Sequence, residues 1–308
     1  MEEVKTGSSI STVRACRIVG LSTSAAYYKS RKDDSEVIGK LQSLALRHPT
    51  RGFGVYYGRI RNEGLKWNHK RVKRVYDLMG LNIRRKHKRR LPLREKIALE
   101  QPDQVNKKWS MDFMSDALSD GRKFRTFNLI DDFNREVLAV EADTSLPARR
   151  VVRILERIIC EKGKPESIRV DNGPEFISHT LEAFCKEQHI QLQFIKPGKP
   201  MQNGYIERFN RTYREDILDA YLFRSIQEVR ILSQQWIQDY NHHHPHSSLG
   251  GYSPVGYRLA VESGKLPSRI CAAEFTTCHS NFNNNNNDQL NILTSTILNP
   301  QKSNSNLS

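Results

Sequence analysis

Residues 107–140, KKWSMDFMSDALSDGRKFRTFNLIDDFNREVLAV, decide the fold of this 308-residue chain. Three apolar segments stand between polar turns in this stretch: Trp109 to Met114, Phe124 to Ile130 and Val137 to Val140. Short runs of aromatic and aliphatic residues bounded by turn residues predict β-strands. The Asp120-Gly121 pair between the first two runs predicts a hairpin turn. Three consecutive strands are therefore expected here.

Helices and strands alternate after this stretch. Pro147 begins a predicted helix that Gly163 ends, because proline is favoured in the first turn of a helix and glycine just beyond its end. The remaining predicted elements are a strand at 167–170, a helix at 178–189, a strand at 191–195 and a long helix at 202–220. Three strands followed by alternating helix and strand predict an α/β fold with a mixed five-stranded sheet. This order matches the ribonuclease-H-like fold.

The first hundred residues predict small helices. Residues 1–34 form a weak helix-turn-helix-like segment, for which an ordinary helical hairpin is the alternative, and residues 35–83 a helical DNA-binding domain. In the last helix of that domain, capped by Asn68, Val72, Val75 and Leu78 are expected to point inward. The same helix is expected to present four cations to solvent: Lys70, Arg71, Lys73 and Arg74. We assign 84–105 to a basic linker, 106–260 to the ribonuclease-H-like core and 261–308 to a tail that is disordered because it is rich in Asn and Ser.

The charge of the chain is unevenly distributed. The formal net charge is +15, and residues 1–100 carry all of the excess, with 24 Lys and Arg against 9 Asp and Glu. Concentrated cationic charge attracts polyphosphate and releases its counterions on binding, so nucleic acid is the expected partner. The densest run cannot pack against itself and is expected to lie along a phosphate backbone; its cations are Arg84, Arg85, Lys86, Lys88, Arg89 and Arg90.

Hydropathy and cysteine content indicate the compartment. No run of eighteen apolar residues could span a membrane, and the N-terminus lacks the pattern of a secretory signal. The five cysteines are odd in number and scattered, which fits reduced thiols in a bacterial cytoplasm. Two of them, Cys160 and Cys185, stand at apolar positions of predicted helices and are expected in the core. We therefore predict a cytoplasmic, nucleoid-associated protein.

Three acidic residues occupy positions where carboxylates are costly without a partner. Asp112 lies inside an apolar strand, Asp171 directly follows a strand and precedes Asn172-Gly173, and Glu207 lies near the start of a helix. An ionised carboxylate among apolar neighbours needs a counter-charge or a metal ion. Magnesium prefers oxygen ligands and keeps open positions for water and phosphate. Two such ions about 3.5–4 Å apart can activate an attacking oxygen and stabilise a leaving one.

The spacing and the surrounding motifs carry a resemblance to a known family. Thirty-five residues lie between Asp171 and Glu207. The motifs are Trp109-Ser-Met-Asp112, Val170-Asp-Asn-Gly-Pro-Glu-Phe176, Asn203-Gly-Tyr-Ile-Glu-Arg-Phe-Asn210 and Tyr240-Asn241 followed by Pro245-His-Ser-Ser-Leu249. On these residues the chain resembles the integrase-core (DDE) transposases, and within them the second-frame (OrfB) product of the insertion sequence three family.

The resemblance implies an activity. Water would cleave DNA at the inverted-repeat ends of the element to free a 3′-hydroxyl, which would attack a second phosphodiester without a covalent protein intermediate. Asp112 would touch both of two Mg²⁺ ions, with Mn²⁺ as an alternative, and Asp171 and Glu207 would hold one each.

The resemblance also implies partners and contacts. Expected partners are double-stranded DNA of the element ends and the target, further copies of this chain on that DNA, and a first-frame (OrfA) protein. DNA contacts are expected from Asn172, Asn210, Arg211 and Arg214.

Other interpretations stay open. A related nuclease would use the same carboxylates to cleave DNA without joining it. A DNA-binding protein with an inactive core would need the basic helices but not the acids. The run His242 to His246 is interpreted as structural or solvent-facing rather than a transition-metal site, because consecutive side chains diverge. Cys271 and Cys278-His279 form a poor zinc motif.

Overall fold

A computed structural model describes residues 11–27, 33–83, 99, 101–173, 176–196 and 200–266. Five strands form one sheet: β1 Lys108–Ala117, β2 Lys123–Asp131, β3 Val137–Asp143, β4 Ser167–Val170 and β5 Gln191–Phe194. Their order across the sheet is β3-β2-β1-β4-β5. The first three strands pair antiparallel, and β4 joins β1 and β5 in parallel. This sheet confirms the predicted mixed five-stranded α/β fold of ribonuclease-H type.

The β1–β2 hairpin forms where the sequence predicts it. Gly121 adopts a φ of 85°, which residues with a side chain rarely occupy. The Asp120 carboxylate accepts a hydrogen bond from the Arg122 backbone N–H at 3.0 Å, which closes the turn. Both strands run longer than the apolar pattern indicates, because their polar outer ends still pair across the hairpin.

Helices cover both faces of the sheet. Helix α6, Ala148–Lys162, and helix α7, His179–Glu187, pack on one face, where Trp109 and Met111 of β1 point. Helix α8, Gly204–Tyr213, and helix α9, Ile226–His243, cover the opposite face, to which Met114 points. Because side chains alternate along a strand, Asp112 lies on the α8 face.

The helix predicted at 202–220 forms, but its hydrogen bonding changes along its length. A 3₁₀ turn, Pro200–Asn203, leads directly into α8, and a π-helical turn, Arg214–Leu218, follows it without a break. The change was not predicted, because hydrophobic spacing does not distinguish α from π hydrogen bonding over a single turn. In the π-helical turn the Asp219 N–H donates to the carbonyl of Arg214, five residues back.

Three helices before the sheet form a unit with its own core, which we call the helical module. It consists of α3 Ser35–Arg47, α4 Phe53–Asn62 and α5 His69–Leu78. Val72 and Val75 are buried in it as predicted, but Leu78, at the end of α5, is 74% exposed, because no helix among the described residues covers it. A short hairpin, α1 Thr12–Val19 and α2 Thr23–Ala26, comes earlier in the chain, with caps at Ser11 and Ser22.

A final helix, α10 Pro254–Glu262, was not predicted from sequence. Its Tyr257 packs with Phe133 and Leu249 in a small separate core. The helix ends two residues beyond the predicted domain boundary at 260, and residues 267–308 lie outside the described residues. In the described part of the chain, no helix combines the length and apolarity that crossing a membrane requires.

Candidate active site

Strand register brings the two aspartates together. The parallel pairs Lys108 with Ser167 and Ser110 with Arg169 each differ by 59 residue numbers. Asp112 and Asp171 differ by the same 59. Continuing the register by two residues therefore sets Asp171, at the end of β4, beside Asp112 on the neighbouring strand. Adjacent strands lie about 4.8 Å apart, and residues in register point to the same face.

Two donors orient the partly buried Asp112 carboxylate. Its Oδ1 accepts the Phe113 backbone N–H at 2.7 Å, and its Oδ2 accepts the Asn210 side-chain amide at 2.7 Å. Burial, together with the negative charges of Asp171 and Glu207, raises the pKa of Asp112 to about 6 in spite of these hydrogen bonds. All three predicted acids therefore lie within electrostatic reach of one another.

The turn after β4 fixes Asp171. The Gly173 backbone N–H donates to the Asp171 carboxylate at 3.0 Å, and the Asn172 amide donates to the carbonyl of Ile195 at 2.9 Å. Asn172 thus ties the ends of β4 and β5 together, whereas its predicted DNA contact stays a prediction. Beyond the turn, the Phe176 ring stacks on Phe113 with centroids 4.9 Å apart. The residue after Asp112 and the loop after Asp171 are therefore packed against each other.

Helix α8 contributes Glu207 and Asn210 one turn apart on the face that meets β1. Glu207 is exposed in the first turn, whereas Asn210 is buried. The side-chain oxygen Oδ1 of Asn210 accepts a hydrogen bond from the side-chain amide of Asn128 at 2.7 Å. A relay of side-chain hydrogen bonds therefore runs from Asn128 through Asn210 to Asp112. Asn128 is directly opposite Asp112 in the β1–β2 register. Sequence reasoning missed Asn128, although an amide in the middle of a buried strand is a signal of a polar network.

Arg135 contacts the first turn of α8. It lies in the β2–β3 turn with a φ of 64°, and its guanidinium stacks 3.4 Å from the centroid of the Tyr205 ring. The Tyr205 hydroxyl in turn donates to the carbonyl of Leu99 at 3.1 Å. Sequence analysis missed this contact, because the turn and the helix lie about seventy residues apart.

The carboxylates of Asp112, Asp171 and Glu207 are suitable ligands for a hard divalent cation. The charges of Asp171 and Glu207 make ionisation of Asp112 more costly, which a cation would relieve, and carboxylate oxygens are the ligands that magnesium prefers. Within the described residues, no three Asp, Glu, His or Cys side chains are close enough to enclose an ion on their own. Magnesium commonly binds one or two carboxylates and completes its coordination with water and substrate phosphate.

Arg214 lies where α8 changes to the π-helical turn. Its guanidinium donates to the Asp116 carboxylate at 3.3 Å and to the carbonyl of Ser115 at 3.1 Å, and it lies 3.7 Å from Asp219. Arg214 therefore joins the helix that carries Glu207 to the strand that carries Asp112. Arg211 is exposed one turn earlier. DNA contacts by both arginines stay predictions.

The four cations predicted on the surface of α5 reach solvent, but acidic side chains partly neutralise them. Asp34 binds Arg71 at 2.9 Å and Arg74 at 2.6 Å, and Lys73 pairs with Asp77 one turn away. The reason is that the start of α3 packs beside α5 and supplies Asp34. Lys70 is exposed. The cations of the basic run at 84–90 lie outside the described residues.

Histidines and cysteines form no metal site in the described part of the chain. His244 is buried and His246 half-buried, with their rings 4.8 and 5.3 Å from that of Tyr240, and desolvation lowers the pKa of His246 to about 3. Both histidines are neutral and pack against Tyr240, which agrees with the interpretation of this run as structural. Cys185 is buried as predicted, but Cys160 is exposed, because it lies on the opposite side of α6 from Ile158. Cys271 and Cys278 lie outside the described residues.

Comparison with known proteins agrees with this architecture. Residues 102–200 and 188–254 match two family descriptions that both read "Integrase core domain". The chain is 36% identical over 256 residues to a protein of insertion element IS407 from Burkholderia multivorans, covering 82% of this chain and 92% of that protein. It is 25% identical over 214 residues to the putative transposase InsK of insertion sequence IS150 from Escherichia coli, covering 65% and 74%.

Among solved structures, the HTLV-2 integrase catalytic core domain in complex with magnesium is similar, with 21% identity and a TM-score of 0.40 over 50% of this chain and 97% of that one. The sheet and the matches in sequence define an integrase-core enzyme of the polynucleotidyl transferase type. More particularly, the chain belongs to the transposases of insertion elements, of the insertion sequence three family.

Proposed function

We propose that this transposase cleaves DNA at the inverted-repeat ends of its element and joins the freed 3′-hydroxyl to target DNA, with Asp112, Asp171 and Glu207 as the metal-binding catalytic residues. The observation that carries the proposal is the 59-residue register between β1 and β4, which supports a side-by-side position of the two aspartates on neighbouring strands. The elevated pKa of Asp112, caused by burial and by both other acids, supports the same grouping.

The reaction requires two in-line displacements at phosphorus. In the first, water attacks and the bond to the 3′-oxygen breaks, which leaves a 3′-hydroxyl on one fragment of the cut strand and a 5′-phosphate on the other fragment. In the second, that hydroxyl attacks a phosphodiester of the target, whose own 3′-oxygen departs. Mg²⁺ or Mn²⁺, two ions by the family's pattern, would neutralise the charge that develops on the phosphate oxygens.

The chain's own residues supply orientation. Asn210 and the Phe113 N–H fix both oxygens of Asp112, so that the carboxylate is held in one direction before DNA arrives. The Gly173 N–H does the same for Asp171. Such preorganisation avoids reorientation during the reaction. Glu207 is exposed and reaches the same edge from the first turn of α8.

DNA contacts would come from several surfaces. We propose that Lys70, the cations at 84–90, Arg211 and Arg214 contact phosphates, and that copies of the chain assemble on paired ends of the element. A first-frame partner stays a prediction of the family resemblance.

The test of the chemistry uses the purified full-length chain, labelled element-end DNA and Mg²⁺. Replacement of Asp112 by Asn, Asp171 by Asn or Glu207 by Gln should reduce both cleavage and joining to the level without protein, while DNA binding persists. Asp120→Asn is the matched control, because Asp120 is exposed in the β1–β2 turn. Cleavage without any joined product would favour the nuclease alternative. Full activity in the three variants would overturn the assignment.

The test of the basic run measures DNA binding against salt. Neutralising Arg84, Arg85, Arg89 and Arg90 should weaken end binding and lower the slope of log affinity against log salt by about 0.9 for each phosphate that the protein no longer neutralises. Neutralising Arg122, in the turn of the core, is the control. An unchanged slope would exclude the run from the DNA interface.

A further inference from the structure

The helical module is attached to the catalytic core through its second helix and the loop before it. Asn62, at the end of α4, donates to the carbonyl of His243 at 3.3 Å. At Gly58, a Cβ atom would lie 2.5 Å from the Cβ of Pro245, so the two backbones approach as closely as glycine allows. The receiving surface is therefore the end of α9 and the Tyr240–Leu249 segment, a motif to which the proposed chemistry assigns no role.

Two arginines of the module supply charge to this interface. Arg59 forms two contacts with the carboxylate of Asp239 on α9, at 2.9 and 2.8 Å, and its side chain is 3% exposed. Arg51, in the loop before α4, is 13% exposed and reaches the π-helical turn. Removing a buried cation of this kind leaves its carboxylate partner without a counter-charge, which is strongly destabilising where that partner is itself buried.

Arg51 binds three groups at one junction. Its guanidinium donates to the Thr212 carbonyl at 3.0 Å, to the Glu215 carboxylate at 2.8 Å and to the Asp216 carboxylate at 2.9 Å. Thr212 belongs to the last turn of α8, and the two acids belong to the π-helical turn. Arg51 therefore spans the point at which the catalytic helix changes its hydrogen bonding.

This junction is held from both sides. Arg51 holds it from the helical module, and Arg214 holds it from β1 through Asp116. The Asp216 side chain is only 3% exposed and also accepts the Trp236 indole N–H at 3.1 Å. Without Arg51, Asp216 would be a buried carboxylate without a cation, next to a second acid, Glu215. This arrangement costs free energy, and a rearrangement of the π-helical turn would relieve that cost. Glu207 lies five residues before Thr212 on the same short helix.

We propose that Arg51 is a positioning residue for Glu207 and Asn210: by fixing the end of α8 from the helical module, it makes the geometry of the active site depend on the docking of that module. The inference rests on the proposed function for its catalytic part. Its structural part stands on the contacts alone.

The structural part is tested by hydrogen–deuterium exchange on the full-length chain without DNA or metal. Arg51→Gln should speed amide exchange in residues 212–219 about tenfold or more, because local opening there no longer breaks three hydrogen bonds. Arg61→Gln, at an exposed arginine of α4 in the same helical module, should leave this exchange unchanged. Equal exchange in wild type and Arg51→Gln would overturn the proposal.

The catalytic part is tested by separating binding from rate. With element-end DNA at saturation, Arg51→Gln should lower the single-turnover cleavage rate constant about tenfold or more, because small displacements of catalytic groups are costly. The Kd for that DNA should stay within about twofold of wild type, since Arg51 faces the core. A merely structural defect would instead reduce the amplitude of the reaction, through a smaller folded fraction, and leave the rate constant unchanged.

Milder variants keep the test valid if Arg51→Gln folds poorly. Glu215→Gln removes one ion pair without stranding a buried charge, and Arg51→Lys keeps the charge but not the three-way geometry. Both should show smaller decreases of the rate constant in the same direction. Weaker DNA binding with an unchanged rate constant would overturn the proposal. If Asp112→Asn still cleaves, the proposed function fails, whereas the exchange result on Arg51 stands independently.

Discussion

Replacing Asp112 with asparagine should make the metal-free protein more stable at neutral pH. Burial, Asp171 and Glu207 raise the pKa of Asp112 from 3.8 to about 6. Each pKa unit corresponds to about 1.4 kcal/mol, so the ionised carboxylate costs the folded state at most about 3 kcal/mol. Because Asp112 is only partly buried, we expect a gain of about 1–3 kcal/mol for Asp112→Asn, or roughly 2–10 °C in Tm.

Hydrogen bonding does not oppose this gain. The asparagine carbonyl can still accept the Phe113 N–H, and its amide can donate to Asn210 if the relay reverses direction. Asn128 Oδ1 has no hydrogen-bond partner within the described residues, so it can accept the amide of a reversed Asn210.

The pH dependence gives the prediction its sign. The pKa of Asp112 is higher in the folded than in the unfolded state, so its ionisation penalty is complete above about pH 6 and absent below about pH 3.8. The advantage of the variant should therefore be largest at pH 7.5 and fall to about half at pH 5. Asp120→Asn is the control: hydrogen bonds from Arg122 lower the pKa of Asp120, so this variant should gain nothing.

The assay is thermal and urea unfolding in a chelating buffer at both pH values, repeated with Mg²⁺. The ion binds the folded wild type, so its addition should shrink or reverse the order of stabilities. If Asp112→Asn is no more stable than wild type at pH 7.5 without metal, the carboxylate is not strained by its surroundings and the reasoning fails.

Three further predictions concern packing, thiol reactivity and the amide relay. Gly58→Ala should destabilise the protein by about 1–3 kcal/mol in urea unfolding, because its Cβ meets Pro245, whereas Gly54→Ala in the same helix meets nothing within 4 Å and should be neutral or stabilising. A maleimide followed by peptide mapping should label exposed Cys160 rapidly and leave Cys185, whose pKa burial raises to about 11, unmodified; equal labelling would contradict the described helix faces. Asn210→Ala should cost about 2–4 kcal/mol of stability, since it strands one buried amide and a carboxylate, and a loss below about 1 kcal/mol would argue against the relay.

Local signals predicted the sheet well. The strand at 167–170 and the helix stop at Gly163 follow from apolar spacing and from backbone preferences that act within a few residues. The fold was confirmed because each local preference agrees with the same topology. The 59-residue spacing of Asp112 and Asp171 equals the difference in residue number between paired residues of β1 and β4. The spacing in sequence therefore already contained the register that sets the two aspartates side by side.

Long-range contacts were not predictable in the same way. The capture of Arg71 and Arg74 by Asp34 depends on how α3 packs beside α5, almost forty residues away in sequence. The contacts of Arg51 with the π-helical turn join the helical module to residues more than 160 positions away. Only Asn128 left a usable sign in the sequence, as an amide in an apolar strand. The roles of the three acids and of the DNA-contacting residues stay predictions.

Because residues of β1 and β4 pair at an offset of 59, insertions and deletions are tolerated differently in different parts of the gene. Codons added or removed in the connection around Gly163 leave β4 free to find the same partners on β1, so the pair of aspartates survives. Loss of one codon within β1 or β4 forces either a mispaired sheet or a register moved by one residue, which turns a carboxylate to the opposite face. Decaying copies of such a gene can thus lose the carboxylate pair through a single in-frame deletion while most of the sheet still forms.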